Sequence, residues 1–387
     1  GIRPLVGSND DVAHLVSPPY GTSLSTTKQL GFQFNYKYSD FIGPNLLTIG
    51  SDLFSDYVND EIVAYNYLVD QEVNTLGFFF QSDWNFNDKL NLLSGVRVDE
   101  HSLLKNVVVS PRLSFLYNIK KNAQIRLSYS TGFRAPQAFD TDLHIAFAGG
   151  GISRINLAND LSEEKSQSLS SSLNFDYARE NYIYGFTLEY FYTKLENAFY
   201  LDPSGTDNFG DLFTKRNGSE AIVKGLSIDL RMNYNKIIQF ESGFTIQKSR
   251  YTEPVSYSNS LIAVSNFLKT PNSYGYGNLS YTFSDNLSSS INYIFTGKMD
   301  LVHMGGSVNN PNDKYVVSNN FHQFDINLNY TQELNQIGLE LKYLVGLKNI
   351  TNSYQSDFDI LKNRDSNYVY GPSTPRMIIF GLSFSSL

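Results

Sequence analysis

"GLSIDLRMNYNKIIQFESGFTI", residues 225–246, alternates its side chains with a period of two on both sides of a short polar break. Leu226, Ile228, Leu230, Met232 and Tyr234 share one parity, and Ser227, Asp229, Arg231 and Asn233 share the other. Successive side chains of a strand point to opposite faces. The stretch therefore reads as two antiparallel strands turning at Asn235 and Lys236, each with an apolar and a polar face. Fold class depends on what those two faces meet.

The same alternation runs along the chain. Tyr182, Tyr184, Phe186, Leu188, Tyr190 and Tyr192 lie on one parity, with Gly185, Thr187, Glu189 and Thr193 on the other. The pattern predicts strands near 25–39, 45–56, 72–86, 89–101, 106–119, 123–134, 164–178, 181–199, 220–235, 237–252, 273–284, 286–302, 321–332, 336–350 and 375–387, about fifteen in all, and no helix of note. Their connections alternate in length. Short turns fall at 41–44, 87–88, 120–122, 179–180, 235–236, 285 and 333–336. Long loops fall near 57–71, 135–163, 200–219, 253–272, 303–320 and 351–374, with a shorter link near 102–105.

Aromatic residues crowd the strand ends that run into the short turns: Tyr36 and Tyr38, Trp84 and Phe86, Tyr117, Phe175 and Tyr177, Tyr234, Tyr281 and Phe283, and Tyr330. Amphipathic rings at one level of a sheet suit a membrane interface. Trimmed turns at one end, elaborated loops at the other and strands longer than ten residues belong to an outer-membrane barrel. A soluble sandwich or propeller uses shorter strands and even turns.

Composition excludes several alternatives. The chain has no Cys, which removes disulfides, thiolate metal sites and a Cys nucleophile. Its net charge of -8 and the lack of a Lys/Arg cluster exclude a nucleic-acid partner. No apolar run is long enough for a helical span, which leaves strands as the way across a bilayer. Neither a G-x-S-x-G motif nor metal-ligand spacing among the 5 His is present, so no enzyme is expected. The opening "GIRPLVGSND" has no initiating Met, which suggests a piece of something longer.

"SPRLSFLYNIKKNAQIRLSYSTGFRAP", residues 110–136, resembles the C-terminal barrel of TonB-dependent outer-membrane receptors, including their GFRAP signature. "ANDLSEEKSQSL", 158–169, is similar to that family's NPDLKPEKS segment, keeping Asp160, Leu161, Glu164, Lys165 and Ser166 and departing at Ala158 and Glu163. "VKGLSIDL", 223–230, resembles the mid-barrel strand. The segment from Leu347 to Leu387 resembles the last hairpin, in its Bacteroidetes form.

The resemblance implies a transmembrane antiparallel β-barrel of 22 strands, of which this chain supplies about 15, without the N-terminal plug domain. Residues 1–387 form the C-terminal portion. It implies a receptor in the outer membrane of a Gram-negative bacterium that binds a scarce nutrient in its extracellular loops and imports it with TonB-transduced energy. A ferric siderophore or other iron chelate comes first, and haem, cobalamin, or a glycan or peptide taken up with a surface lipoprotein remain open. A passive porin or adhesin barrel is the rival reading. No resident cofactor is expected. Partners are the TonB complex, through the plug, and membrane lipid.

Lumen-facing residues follow from parity: Lys37, Arg97, Arg112, Arg126, Asp176, Asp229, Arg231, Glu241, Asp325, Glu340 and Lys342. Candidate ligand contacts are His144, which lies between the two boxes where haem receptors of this family place an iron ligand, together with Arg134, Tyr251 and His303.

Overall fold

The computed structural model describes residues 21–39, 43–63, 66–138, 152–208, 210–306, 310–359, 365 and 368–386. Its strands, in chain order, are β1 (Thr22–Tyr38), β2 (Asn45–Ile62), β3 (Tyr67–Asn87), β4 (Leu90–His101), β5 (Val108–Lys120), β6 (Ala123–Arg134), β7 (Ile152–Leu157), β8 (Glu164–Arg179), β9 (Tyr182–Glu196), β10 (Phe199–Asp207) and β11 (Gly210–Asn217). They continue as β12 (Ala221–Tyr234), β13 (Ile238–Val255), β14 (Val264–Asn266), β15 (Ser273–Ser284), β16 (Leu287–Thr296), β17 (Asp300–His303), β18 (Lys314–Val317), β19 (Phe321–Leu334), β20 (Leu339–Lys348) and β21 (Met377–Ser386). Among the described residues none is α-helical.

One sheet dominates, in the order β1-β2-β3-β4-β5-β6-β8-β9-β12-β13-β15-β16-β19-β20-β21, with β14 attached to β13. These fifteen wall strands are the fifteen that alternation predicts. Among the described residues β1 and β21 each pair on one side only, so the sheet has two free edges.

Register aligns the alternating residues into continuous faces. Leu226 stands between Tyr190 and Ile246, Ile228 between Leu188 and Phe244, and Met232 between Tyr184 and Phe240. These residues are not covered by a second sheet: Leu226 is 48% exposed, Leu230 43% and Phe380 77%. A sandwich would bury them. The hydrophobic cluster that the described residues do bury, Met299, Leu301, Phe321 and Tyr368, lies at the long-loop end. A sheet that leaves its apolar parity bare and satisfies its backbone from strand to strand is built to stand in lipid.

The turn that joins β12 to β13 shows how the short end is made. Asn235 and Lys236 have φ of 50° and 61°, and Ile237 N–H donates to Tyr234 O at 2.8 Å. Positive φ at both central residues is the hairpin geometry that matches the twist of the strands it joins. At the same level Tyr182 packs on Tyr234 (4.7 Å between centroids), Trp84 on Phe86 (4.5 Å) and Tyr281 on Phe283 (4.7 Å), which gives the interface girdle its ring contacts.

The long-loop end differs from the sequence reading in three ways. Residues 57–71 are not a loop, since β2 and β3 stay paired up to Ile62 and Tyr67. The single strand expected over 286–302 breaks after Thr296, and Asp300–His303 turns away to pair with β18. Two further small structures occupy the loops, a β10-β11-β7 sheet whose β11–β7 pair is parallel and the β17–β18 hairpin.

Three loops knot together around the buried cluster. The Asp313 carboxylate accepts from Ser258 Oγ, from Ser260 Oγ at 2.7 Å and from Gly305 N–H at 2.6 Å. Asn310, 2% exposed, donates to Met304 O at 2.7 Å, and Gln355 bonds both Tyr368 O (3.0 Å) and Tyr370 N–H (2.9 Å). Burial opposes ionisation of Asp313, but the bonds from Ser258, Gly305 and Ser260 prevail and hold its carboxyl below the ordinary 3.8.

Two outcomes are expected. In the receptor, Ile228→Arg, near mid-membrane on the lipid face, costs about 2–4 kcal/mol of folding free energy while Ser227→Arg on the other face costs far less, read by urea titration of heat-modifiable mobility. A carboxylate with a depressed folded pKa stabilises above its unfolded pKa and loses that contribution as pH falls through the folded value. Acidification below 3.8 is therefore expected to open the knot to proteolysis near 256–313, and Asp313→Asn to do so at neutral pH.

Candidate functional site

The polar parity of the wall is a set of charge contacts, some across strands and some along one strand. Arg97 on β4 forks onto Asp52 of β2, with Nη1 and Nη2 at 2.9 and 3.0 Å, while its Nε reaches Asp99 at 2.8 Å. Gly77 makes the reach possible, because a Cβ there would fall on the Arg97 guanidinium. Arg231 lies opposite Glu241 in register but turns the other way, bonding Asp176 (Nε, 2.7 Å), Asn174 (2.8 Å) and Thr187 (3.0 Å). Lys348 reaches Asp325 at 2.8 Å and Lys342 reaches Glu340 at 2.9 Å. The more exposed pairs, Arg231–Asp176 and Lys342–Glu340, contribute about 0–1 kcal/mol each and order the wall more than they stabilise it, whereas Asp99 beside Arg97 is buried.

Arg112 and Arg126 behave differently. Both are exposed and, among the described residues, neither forms an ion pair. They line one groove of about 540 Å³ near the short-turn end, together with Asp83, Asn91, Ser114 and Asn118. Asp229 and Glu241 face the same side, with the Tyr276 ring packed between their strands against Gly243. Lys37, at the short-turn end of β1, is exposed.

At the long-loop end, Arg134 of β6 and Tyr251 of β13 both lie near Glu164. Arg134 pairs in register with Glu164, and its guanidinium carbon stands 5.6 Å from the Phe199 ring centroid. Glu164 accepts from Phe199 N–H at 2.9 Å. Tyr251 stacks on Phe267 at 4.5 Å, and the neighbouring Tyr257 hydroxyl, which donates to Asn266 O at 3.3 Å, is raised in pKa by burial first. This corner offers a cation and aromatic faces together.

His303 does not face outward. It is 6% exposed, its Nε2 meets Asp359 at 2.9 Å, and its ring lies flat on Tyr368 at 3.7 Å. The structure thus uses the imidazole as a packing and pairing element of the loop knot. His144 lies outside the described residues. Among the described residues no three His, Asp or Glu side chains converge as a metal site.

Sequence reading missed Asp357, Tyr368 and Tyr370. Tyr368 Oη donates to Asp357 at 3.0 Å and Tyr370 Oη at 2.9 Å. Burial, then the Asp357 carboxylate, pushes the Tyr368 phenol up to about 12, and the same causes raise Tyr370 further. Asp52 and Asp99 were also missed, although their parity relative to Arg97 was available as a signal.

The chain matches the family profile "TonB dependent receptor-like, beta-barrel" over residues 6–376. No curated protein matches it in sequence. Among solved structures it is similar to the siderophore receptor PirA from Acinetobacter baumannii, at 16% identity and a TM-score of 0.70 over 94% of this chain and 55% of that one. It is also similar to the FrpB iron transporter from Neisseria meningitidis (14%, 0.65, 93% and 55%) and to a ferric enterobactin receptor, PfeA, from Pseudomonas aeruginosa (14%, 0.67, 94% and 54%). The chain spans about half the length of these proteins. Profile, wall topology and two-faced register agree, and the chain belongs to the TonB dependent receptor-like β-barrel family.

Proposed function

We propose that this barrel wall belongs to an iron-chelate receptor of the Gram-negative outer membrane, which takes its ligand at the long-loop face and imports it with energy from TonB. The observation that carries the reading is the asymmetry of the wall. One end is trimmed to turns, and the other holds a packed, hydrogen-bonded platform of loops. Such a platform is more than a passive pore needs, and positions ligand groups on a rigid base. The similar solved structures are named as siderophore and iron receptors, which supports iron over other nutrients.

Import in this family makes and breaks no covalent bond, so the wall contributes an electrostatic surface. Arg112 and Arg126, without an ion pair among the described residues, call for an anionic partner inside the barrel, and the plug through which TonB acts is the element that would supply it. The Arg134–Tyr251 corner is the proposed first contact for a planar or anionic chelate, since cation and aromatic faces are adjacent there. A surface lipoprotein would add to the loop face.

Two tests follow from this reading. Iron starvation is expected to induce the gene and to make cells take up labelled ferric siderophore; no induction would remove the iron-chelate reading. The Arg112→Glu, Arg126→Glu pair is expected to slow uptake about tenfold, about 1.4 kcal/mol, with ligand affinity at the cell surface unchanged. Equal loss of affinity would instead place these arginines in ligand contact.

A further inference from the structure

Asp357, Tyr368 and Tyr370 bring three oxygen donors to one point on the long-loop face. Both phenols bond the same carboxylate oxygen, at 3.0 and 2.9 Å, and their rings meet edge to face at 5.1 Å between centroids. Six oxygens held octahedrally at about 2.0–2.1 Å from a small cation are spaced about 2.9 Å along each edge. The two phenol-to-carboxylate distances already match two edges of that figure.

Its surroundings hold it in place, with Tyr368 buried and Asp357 left exposed. Tyr368 lies flat on His303, and its carbonyl accepts from Gln355 at 3.0 Å. Tyr370 is anchored through its N–H to the other end of the same Gln355 amide. Gln355 is 1% exposed, so both rings stand on a buried base. Asp357 is exposed, so the carboxylate is reachable from outside.

The geometry points to an inner-sphere site for ferric iron at Asp357, Tyr368 and Tyr370, taking the ion from a chelator that leaves coordination positions open. Hard anionic oxygens select hard cations, and phenolate is an established iron ligand. Charge separates the ferric ion from calcium or magnesium. One carboxylate and two phenolates neutralise three positive charges. The exchange balances: three iron–oxygen bonds form as water or a chelator arm leaves each of three positions on the ion, two phenolic protons go to solvent, and the ion keeps its oxidation state. This deepens the iron-chelate reading by naming a ligand class with an incomplete coordination sphere.

The test titrates the receptor in detergent with ferric nitrilotriacetate and records the visible phenolate-to-iron charge-transfer band. A band is expected in the wild type. Tyr370→Phe and Asp357→Asn are each expected to weaken binding about tenfold or more, while Tyr315→Phe, whose hydroxyl bonds Ile262 O elsewhere in the loops, keeps it. No band in the wild type, or a band that both triad variants retain, overturns the site. Should a variant fail to fold, gallium nitrilotriacetate on the wild type decides: two tyrosinates per receptor by ultraviolet difference support the site, and fewer overturn it. Induction by iron starvation and siderophore uptake are read separately, so the site can fail while the receptor reading stands.

Discussion

A backbone amide facing hydrocarbon has no water to bond, and the whole wall follows from that constraint. Each strand must find its partners in its two neighbours over its full membrane depth. The ladders from β2 to β20 do this with few register shifts. Once pairing is fixed, the pleat sorts side chains into two faces, and a one-residue slip would put Asp229 and Arg231 in lipid. The alternation of residues 225–246 is the sequence form of this requirement. It specifies register as well as fold class.

The polar face then arranges its own charges. Arg97 and Arg231 each reach past an adjacent residue to an acid two strands away, Asp52 and Asp176 respectively, across a glycine at 77 or 185. Long side chains lying over glycines cover backbone and bring charges together at little cost in stability. At the long-loop end the constraint relaxes because water is present, and packing resumes in its ordinary form. A small buried cluster, satisfied polar groups and short strands build a platform on the rim.

The wall was legible in sequence because lipid on one side and water on the other enforce a period of two. Signals faded where that contrast ends. Above the membrane, β2 and β3 continue through Asp56, Asn59, Asp60, Asp70 and Glu72, so an apolar parity no longer marks the strand and 57–71 reads as loop. The break after Thr296 goes unseen because alternation persists into Asp300–His303, which pairs with a distant loop. That residues 97, 112, 126, 229, 231 and 241 lie on the polar parity was legible from alternation. Their partners were not, since Arg231 has Glu241 as its register neighbour and chooses Asp176. The burial of His303 was not legible because a loop histidine carries no sign of it, and Asp357, Tyr368 and Tyr370 meet only when a folded loop returns on itself.

The strand count carries a topological consequence. Along a path in which every neighbour is antiparallel, strands an even number of steps apart point the same way. From β1 to β21 the path takes fourteen steps. The two free edges therefore run parallel to each other, and a direct seam between them would be the single parallel ladder in an otherwise antiparallel wall. Any closure that keeps the antiparallel rule inserts an odd number of strands between them. The direction of one edge thus fixes the parity of whatever completes the ring.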